Sequence, residues 1–146
     1  MDTKYNTLIK IRLVPEGSVA PIIRAGIYPD LVTMTLTEST VLDYNVDLAV
    51  GEHRFVLEFT NKTNDTPDMA VIVDQVTVEG ITVDRFKWAG VYTPTYPEPW
   101  ASTQTDLKPK LPAATYLGWN GQWELPFNVP IFTWIHRVEH LGWIYS

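Results

Sequence analysis

The 146-residue chain has no cysteine, which excludes a disulfide framework and a thiolate metal site. It has no apolar run near the ~18 residues of a membrane span. Basic residues are sparse, 11 against 17 acids, for a net charge of −6. That balance argues against binding to nucleic-acid backbones or anionic membranes. The first residues, Met1-Asp2-Thr3-Lys4-Tyr5-Asn6-Thr7, lack the apolar stretch of a signal peptide, so the expected place of synthesis is a cytoplasm. Tryptophan is absent before residue 88, and all six lie after it or at it. Residues 1–85 carry thirteen acids and seven bases, residues 86–146 four of each, and thirteen of eighteen aromatics fall between Phe86 and Tyr145. An acidic, regularly patterned front thus precedes a neutral, aromatic, proline-rich back. So much aromatic surface belongs in a core, against a partner chain, or against sugar rings.

The front alternates with a period of two. Leu42, Tyr44, Val46 and Leu48 alternate with Asp43, Asn45 and Asp47, and Phe55, Leu57 and Phe59 share one face. Ile9, Ile11 and Leu13, then Ile23, Ala25 and Ile27, then Val32, Met34 and Leu36 give further strands. This is the pattern of strands wet on one face and buried on the other. The run Met69 to Val78 is apolar on both faces and suits a central strand, and Ile81 and Val83 extend the series. Short strands punctuated by Pro15-Glu16-Gly17, Pro29-Asp30, Val50-Gly51 and Asn64-Asp65-Thr66-Pro67 predict a sandwich or barrel.

Five prolines within residues 90–115 exclude a central strand there. Trp119-Asn120-Gly121-Gln122-Trp123 reads as a hairpin with an Asn-Gly turn. Trp123, Leu125, Phe127 and Val129 continue as a strand in which Pro126 suggests an edge. Beyond Pro130, the stripe Ile131, Trp134, Ile135, Val138 and Leu141 favours a short helix, whereas its β-branched and aromatic content favours a strand. The expected fold is all-β: an antiparallel, jelly-roll-like β-sandwich over residues 1–85. A Trp/Pro-rich extension over 86–146 packs on it, on a partner, or on both, with at most one short helix.

Positive signs of an enzyme are few. His136-Arg137-Val138-Glu139-His140 matches a zinc-peptidase spacing, but a chance pair of surface imidazoles explains it better. There is no Gly-rich phosphate loop and no nucleophile elbow. The loop Phe59 to Asp68, followed by Asp74, offers oxygens of the kind calcium takes, against the plainer reading of an Asx-rich turn.

That segment also carries a resemblance. Phe59-Thr60-Asn61, a polar loop, Asp68, then Val71-Ile72-Val73-Asp74-Gln75-Val76-Thr77-Val78-Glu79-Gly80 resembles the calcium-dependent xylan-binding type of carbohydrate-binding module. Ala20-Pro21-Ile22-Ile23-Arg24-Ala25-Gly26 and Gly51-Glu52-His53-Arg54-Phe55-Val56-Leu57-Glu58-Phe59 agree in order, so the resemblance spans about residues 7–84. It implies a β-sandwich and places Asn61, Asp68 and Asp74 as calcium ligands. Lys62 departs from the pattern by putting a cation where a ligand is expected. Such sandwich-plus-tail chains are similar to small structural proteins of tailed, marine T4-like bacteriophages. The leading expectation is therefore a non-enzymatic virion subunit, a homo-oligomer contacting other virion subunits. The alternative is a module recognising a cell-surface or plant-type polysaccharide. On either reading Trp88, Tyr92, Tyr96, Trp100 and Trp119 are the partner- or sugar-binding rings.

Overall fold

The computed structural model describes residues 4–63, 65–82, 84–95, 110–112, 114–132 and 134–135. It is an antiparallel β-sandwich. One sheet contains β1 (Lys4–Glu16), β4 (Thr40–Ala49), β6 (Ala70–Val78), β7 (Ile81–Thr82) and β10 (Tyr116–Leu117), in the order β10-β6-β1-β4 with β7 also on β6. The other contains β2 (Ile22–Ile27), β3 (Val32–Thr35), β5 (Gly51–Phe59), β8 (Val91–Pro94), β9 (Leu111–Pro112) and β11 (Gly121–Val129), in the order β3-β2-β5-β11-β8-β9. One short helix, α1 (Asp84–Trp88), follows β7.

The alternation read from the sequence sets which faces are buried. Ile9, Ile11, Leu13, Ile23, Ala25, Ile27, Leu42, Phe55, Leu57 and Phe59 are all buried in one cluster. Tyr44, Val46 and Leu48 are half-buried on the same side, while Asp43, Asn45 and Asp47 are exposed. β4 is an edge strand, so its inward face is incompletely covered. Burial still pushes the Tyr44 hydroxyl up to about 12.

Four expectations need correction. The boundary expected at residue 85 does not divide the sandwich, because β8, β9 and β11 complete one sheet and β10 joins the other. The proline-rich stretch does supply sheet. Pro94 is the last residue of β8 and Pro112 lies in the two-residue strand β9, both places that tolerate a missing amide. The series after Glu79-Gly80 stops after two residues. Both turn residues have positive φ, 51° and 78°, as a two-residue hairpin requires, and the chain then enters α1. Finally, Asn120-Gly121 is no hairpin turn, since β10 pairs with β6 and β11 with β5 and β8.

β6 is central as expected, but its two-faced apolar pattern has a local cause. A register shift against β1 between Arg12 and Leu13 changes the phase of β6. Val71 and Val73 point inward before it and Val76 and Val78 after it, all buried. Such a bulge re-aims side chains, and here Asp74 and Gln75 both fall opposite Arg12. After Pro130, residues 131–132 and 134–135 are helical, and Ile131, Trp134 and Ile135 are buried; Val138 and Leu141 lie outside the described residues. Trp134 packs on fully buried Phe86 of α1, with ring centroids 5.3 Å apart.

Candidate functional site

The outer face of the six-stranded sheet carries two concavities. Inward residues of β5 and β11 fix what faces out: Glu52, Arg54, Val56 and Glu58 from β5, and Gln122, Glu124, Pro126 and Asn128 from β11. The register stacks them in rows, Glu52 beside Asn128, Arg54 beside Pro126, Val56 beside Glu124, and Glu58 beside Gln122. Two residues of strand separate successive rows, so the four rows span about 20 Å. The last row extends sideways to Arg24 and Thr33 in one direction and Thr93 in the other. Arg24 and Glu58 pair there at 3.0 Å.

Two concavities open along this line. The larger, of about 550 Å³, is lined by Glu52, Arg54, Glu124, Pro126 and Asn128, with Tyr28 and Trp134 among its borders. The smaller, of about 430 Å³, is lined by Glu58, Thr60, Thr93, Thr95 and Gln122 among others. The groove exists because β8 pairs with β11 only over Gly121–Glu124. Beyond Glu124 the far side of β11 has no strand among the described residues, and Pro126, which could not donate there, occupies that edge. One wall is the turn after β2. The Asp30 carbonyl lies over Gly26, where an added Cβ would stand 2.1 Å from it. Tyr28 is held by its amide on the Arg54 carbonyl at 2.9 Å, and the Arg54 guanidinium lies 3.9 Å from the Tyr28 ring centroid.

The Nε of Arg54 is buried and has no hydrogen-bond partner. Arg54 is in none of the ion pairs among the described residues, and neither are Glu52 and Glu124. The two carboxylates share one groove, but their backbone positions are four residues and one strand apart, roughly 14 Å.

Of the residues singled out from the sequence, the described ones are placed elsewhere. Tyr92 is a correction: it is 3% exposed, because β8 turns it inward opposite Trp123. Its hydroxyl donates to the Trp119 carbonyl and accepts from the Trp119 amide at 3.2 Å. It fixes a loop and offers no ring to a ligand. Trp119 is half-buried, with the Lys62 ammonium 5.5 Å from its ring centroid. Trp88 is exposed at the end of α1. Tyr96, Trp100 and the His136-x-x-Glu139-His140 pattern lie outside the described residues.

Asn61, Asp68 and Asp74 each make contacts within the protein. Asn61 Oδ1 accepts the Ile22 amide at 2.8 Å and its Nδ2 donates to the Ala20 carbonyl. Asp68 Oδ2 accepts the Ser18 amide at 3.1 Å. Asp74 pairs with Arg12 at 2.7 Å on the other sheet. No cluster of three or more His, Cys, Asp or Glu suited to a metal occurs among the described residues. Calcium takes six to eight oxygens, carbonyl and amide oxygens among them.

Lys62 instead closes a clasp. Its amide donates to Asn120 Oδ1 at 2.8 Å, Asn120 Nδ2 donates to the Lys62 carbonyl at 2.8 Å, and Lys62 Nζ reaches the Gly118 carbonyl at 2.5 Å. One side chain thus imitates a strand pairing and ties the loop after β5 to the loop before β11. Asn120→Ala removes both reciprocal bonds, so a loss of about 1–3 kcal/mol is expected in chemical denaturation. A loss below a few tenths would show the clasp to be ornamental.

The fold is an antiparallel sandwich of the carbohydrate-binding-module kind. It resembles solved vCBM60 in complex with galactobiose, 19% identical, over 81% of this chain and 96% of that one, with a TM-score of 0.51. It also resembles the selenomethionine form of vCBM60, solved in work linking two families of calcium-dependent carbohydrate binding modules by circular permutation. That chain is 22% identical, with 82% of this chain and 89% of that one covered and a TM-score of 0.50. No protein-family profile matches the chain, and no curated protein does.

Proposed function

We propose that the chain is a non-catalytic glycan-binding module that uses the outer face of its six-stranded sheet. The observation that carries this reading is the polar groove along β5 and β11, in which the charged side chains of Glu52, Arg54 and Glu124 stand beside Tyr28 and Pro126. Sugars demand this mixture, since each hydroxyl both donates and accepts while the ring C–H faces are apolar. The sandwich it shares with vCBM60, solved with galactobiose, supports the same reading. Binding here needs no calcium, because Asn61, Asp68 and Asp74 are engaged within the protein and Lys62 bridges the loops.

The test is retention in native gels cast with soluble polysaccharides, run with calcium and with EDTA. Retention equal in both, with no reducing ends released, is expected. Retention lost in EDTA would overturn the calcium-free mode, and no retention on any neutral polysaccharide would overturn the reading itself. A virion subunit is the second reading, favoured by two large apolar residues left in solvent, Trp88 at 51% and Phe132 at 63% exposure. It calls for a defined oligomer in light scattering and no glycan retention.

A further inference from the structure

β4 ends its sheet, and no strand pairs with its far side among the described residues. Which backbone groups face that side follows from the register. The Glu79 amide donates to the Leu8 carbonyl at 2.9 Å, so Leu8 turns its backbone groups to β6. Successive residues of a strand turn theirs to opposite sides, so Ile9 faces β4, where it pairs with Tyr44. Leu42, Tyr44 and Val46 thus spend their N–H and C=O on β1. Those of Val41, Asp43, Asn45 and Asp47 point to the open edge. The Ala49 carbonyl has the same phase, and it is His53 Nε2 that donates to it, at 2.7 Å. Tyr44, Val46 and Leu48 point inward yet stay half-exposed, so the facing sheet does not cover this edge. An edge left in this state is a template for another strand.

We propose that the strand it takes is β4 of a second copy, antiparallel about a twofold axis at Tyr44. That register sets Leu42 opposite Val46, Tyr44 opposite Tyr44, Thr40 opposite Leu48 and Asp43 opposite Asn45 of the second copy. The pairs of Asp43 with Asn45 and of Val41 with Asp47 are the hydrogen-bonded ones, and the half-exposed inner faces cover each other. An axis at Asp43 or at Asn45 would instead set Asp43 directly against an acid, Asp43 or Asp47. An axis at Val46 or Leu42 would shorten the overlap. Asp43 and Asp47 of the two copies still meet diagonally, about 7–8 Å apart, so the contact is opposed by charge and favoured by salt. It lies on the five-stranded sheet, away from the groove, and stands whichever reading of the groove holds.

The chain has no cysteine, so a single introduced thiol tests the register. Directly opposed residues of a pair not joined by hydrogen bonds lie about 4.5 Å apart at Cα, within disulfide range. Oxidised Tyr44→Cys is therefore expected to run as a covalent dimer on non-reducing gels, and Val46→Cys as a monomer. Cross-linking through Val46→Cys alone would overturn the register. Sedimentation velocity of the full chain at up to about 1 mM reads the association itself, which an interface of edge-strand size leaves weak. Tightening is expected from low to high salt. Asp43→Asn is expected to tighten it about 3- to 10-fold, since a repelling charge is lost from each copy. Asp43→Pro removes an edge amide that β1 does not use, and it is expected to keep the fold and stay monomeric. Neither of these replaces a core residue, so they decide the matter even if Tyr44→Cys does not fold. A wild type that stays monomeric at every salt concentration would sink the proposal, as would a dimer that Asp43→Pro leaves intact.

Discussion

Replacing Trp123 with alanine is expected to cost about 3–5 kcal/mol, the range for deleting a large buried ring. Trp123 is fully buried on β11, between β5 and β8, and its ring meets Phe55 edge-on at 5.9 Å. Its Nε1 donates to the Ala114 carbonyl at 2.8 Å, so the ring also pins the segment that leads into β10. Removing it leaves a cavity and an orphaned carbonyl together. Gly90 is shaped to the same ring: an added Cβ would lie 2.0 Å from Trp123 Cζ2. Gly90→Ala should therefore destabilise by overpacking, about 1–3 kcal/mol, while Gly90→Ala combined with Trp123→Phe recovers part of the loss. Urea denaturation of the three variants measures this. A Trp123→Ala loss under 1 kcal/mol would mean that the sheets are not locked by this ring.

Trp123 also marks how far the sequence could be read. The front strands were legible because each alternates polar and apolar residues, and the sheet obeys that alternation down to Asp43, Asn45 and Asp47 in solvent. The back half was not, because its clues are local and its partners distant. The strand pattern of Trp123 and Phe127 and the stripe through Trp134 point to core, and all three are buried there; Tyr92, read as a ring held out for a partner, joins them in the interior of the sandwich. Nothing in Asn120-Gly121 says that Asn120 answers Lys62, 58 residues earlier. Nor does it say that Gly121 is there because a Cβ would stand 2.5 Å from the Thr93 carbonyl. An Asn-Gly pair favours a turn, but pairing is decided by which sheet each flanking strand finds. The bulge in β6 was hidden for a similar reason: a phase change inside Val71 to Val78 looks like apolarity on both faces.

The candidate groove was illegible for another reason. Glu52, Arg54 and Glu58 read as the wet face of a half-buried strand, and Gln122, Glu124 and Asn128 as that of another. Only pairing makes them neighbours. The one residue with a readable signal was Pro126, which marked an edge and stands where β11 outruns β8. The residues that resemble calcium ligands are held by the protein's own amides in this structure. Asn61 and Asp68 are oxygen donors in a loop, but the amides of Ile22 and Ser18 claim them.

Gly26→Ala is the second large effect expected, and it should separate binding from folding. Gly26 faces outward on β2, and its Cβ would stand 2.1 Å from the Asp30 carbonyl, a backbone atom that cannot rotate away. The turn of Tyr28, Pro29 and Asp30 must then lift off the sheet. The hydrogen bond from the Tyr28 amide to the Arg54 carbonyl goes with it, as does the ring on which the guanidinium rests. Val56, the ladder neighbour of Gly26 and wholly buried on this outer face, would become wet. Overpacking of this kind costs about 1–3 kcal/mol, and the inner core of Ile23, Ala25 and Ile27 on the opposite face of β2 remains to hold the strand. The variant should therefore stay folded while losing most of its glycan retention, because one wall of the groove has moved and Arg54 is no longer held in place. A lower thermal midpoint with undiminished retention would show that the wall is not part of the site. Loss of the cooperative transition would show that this turn is needed for the sandwich as well as for the groove.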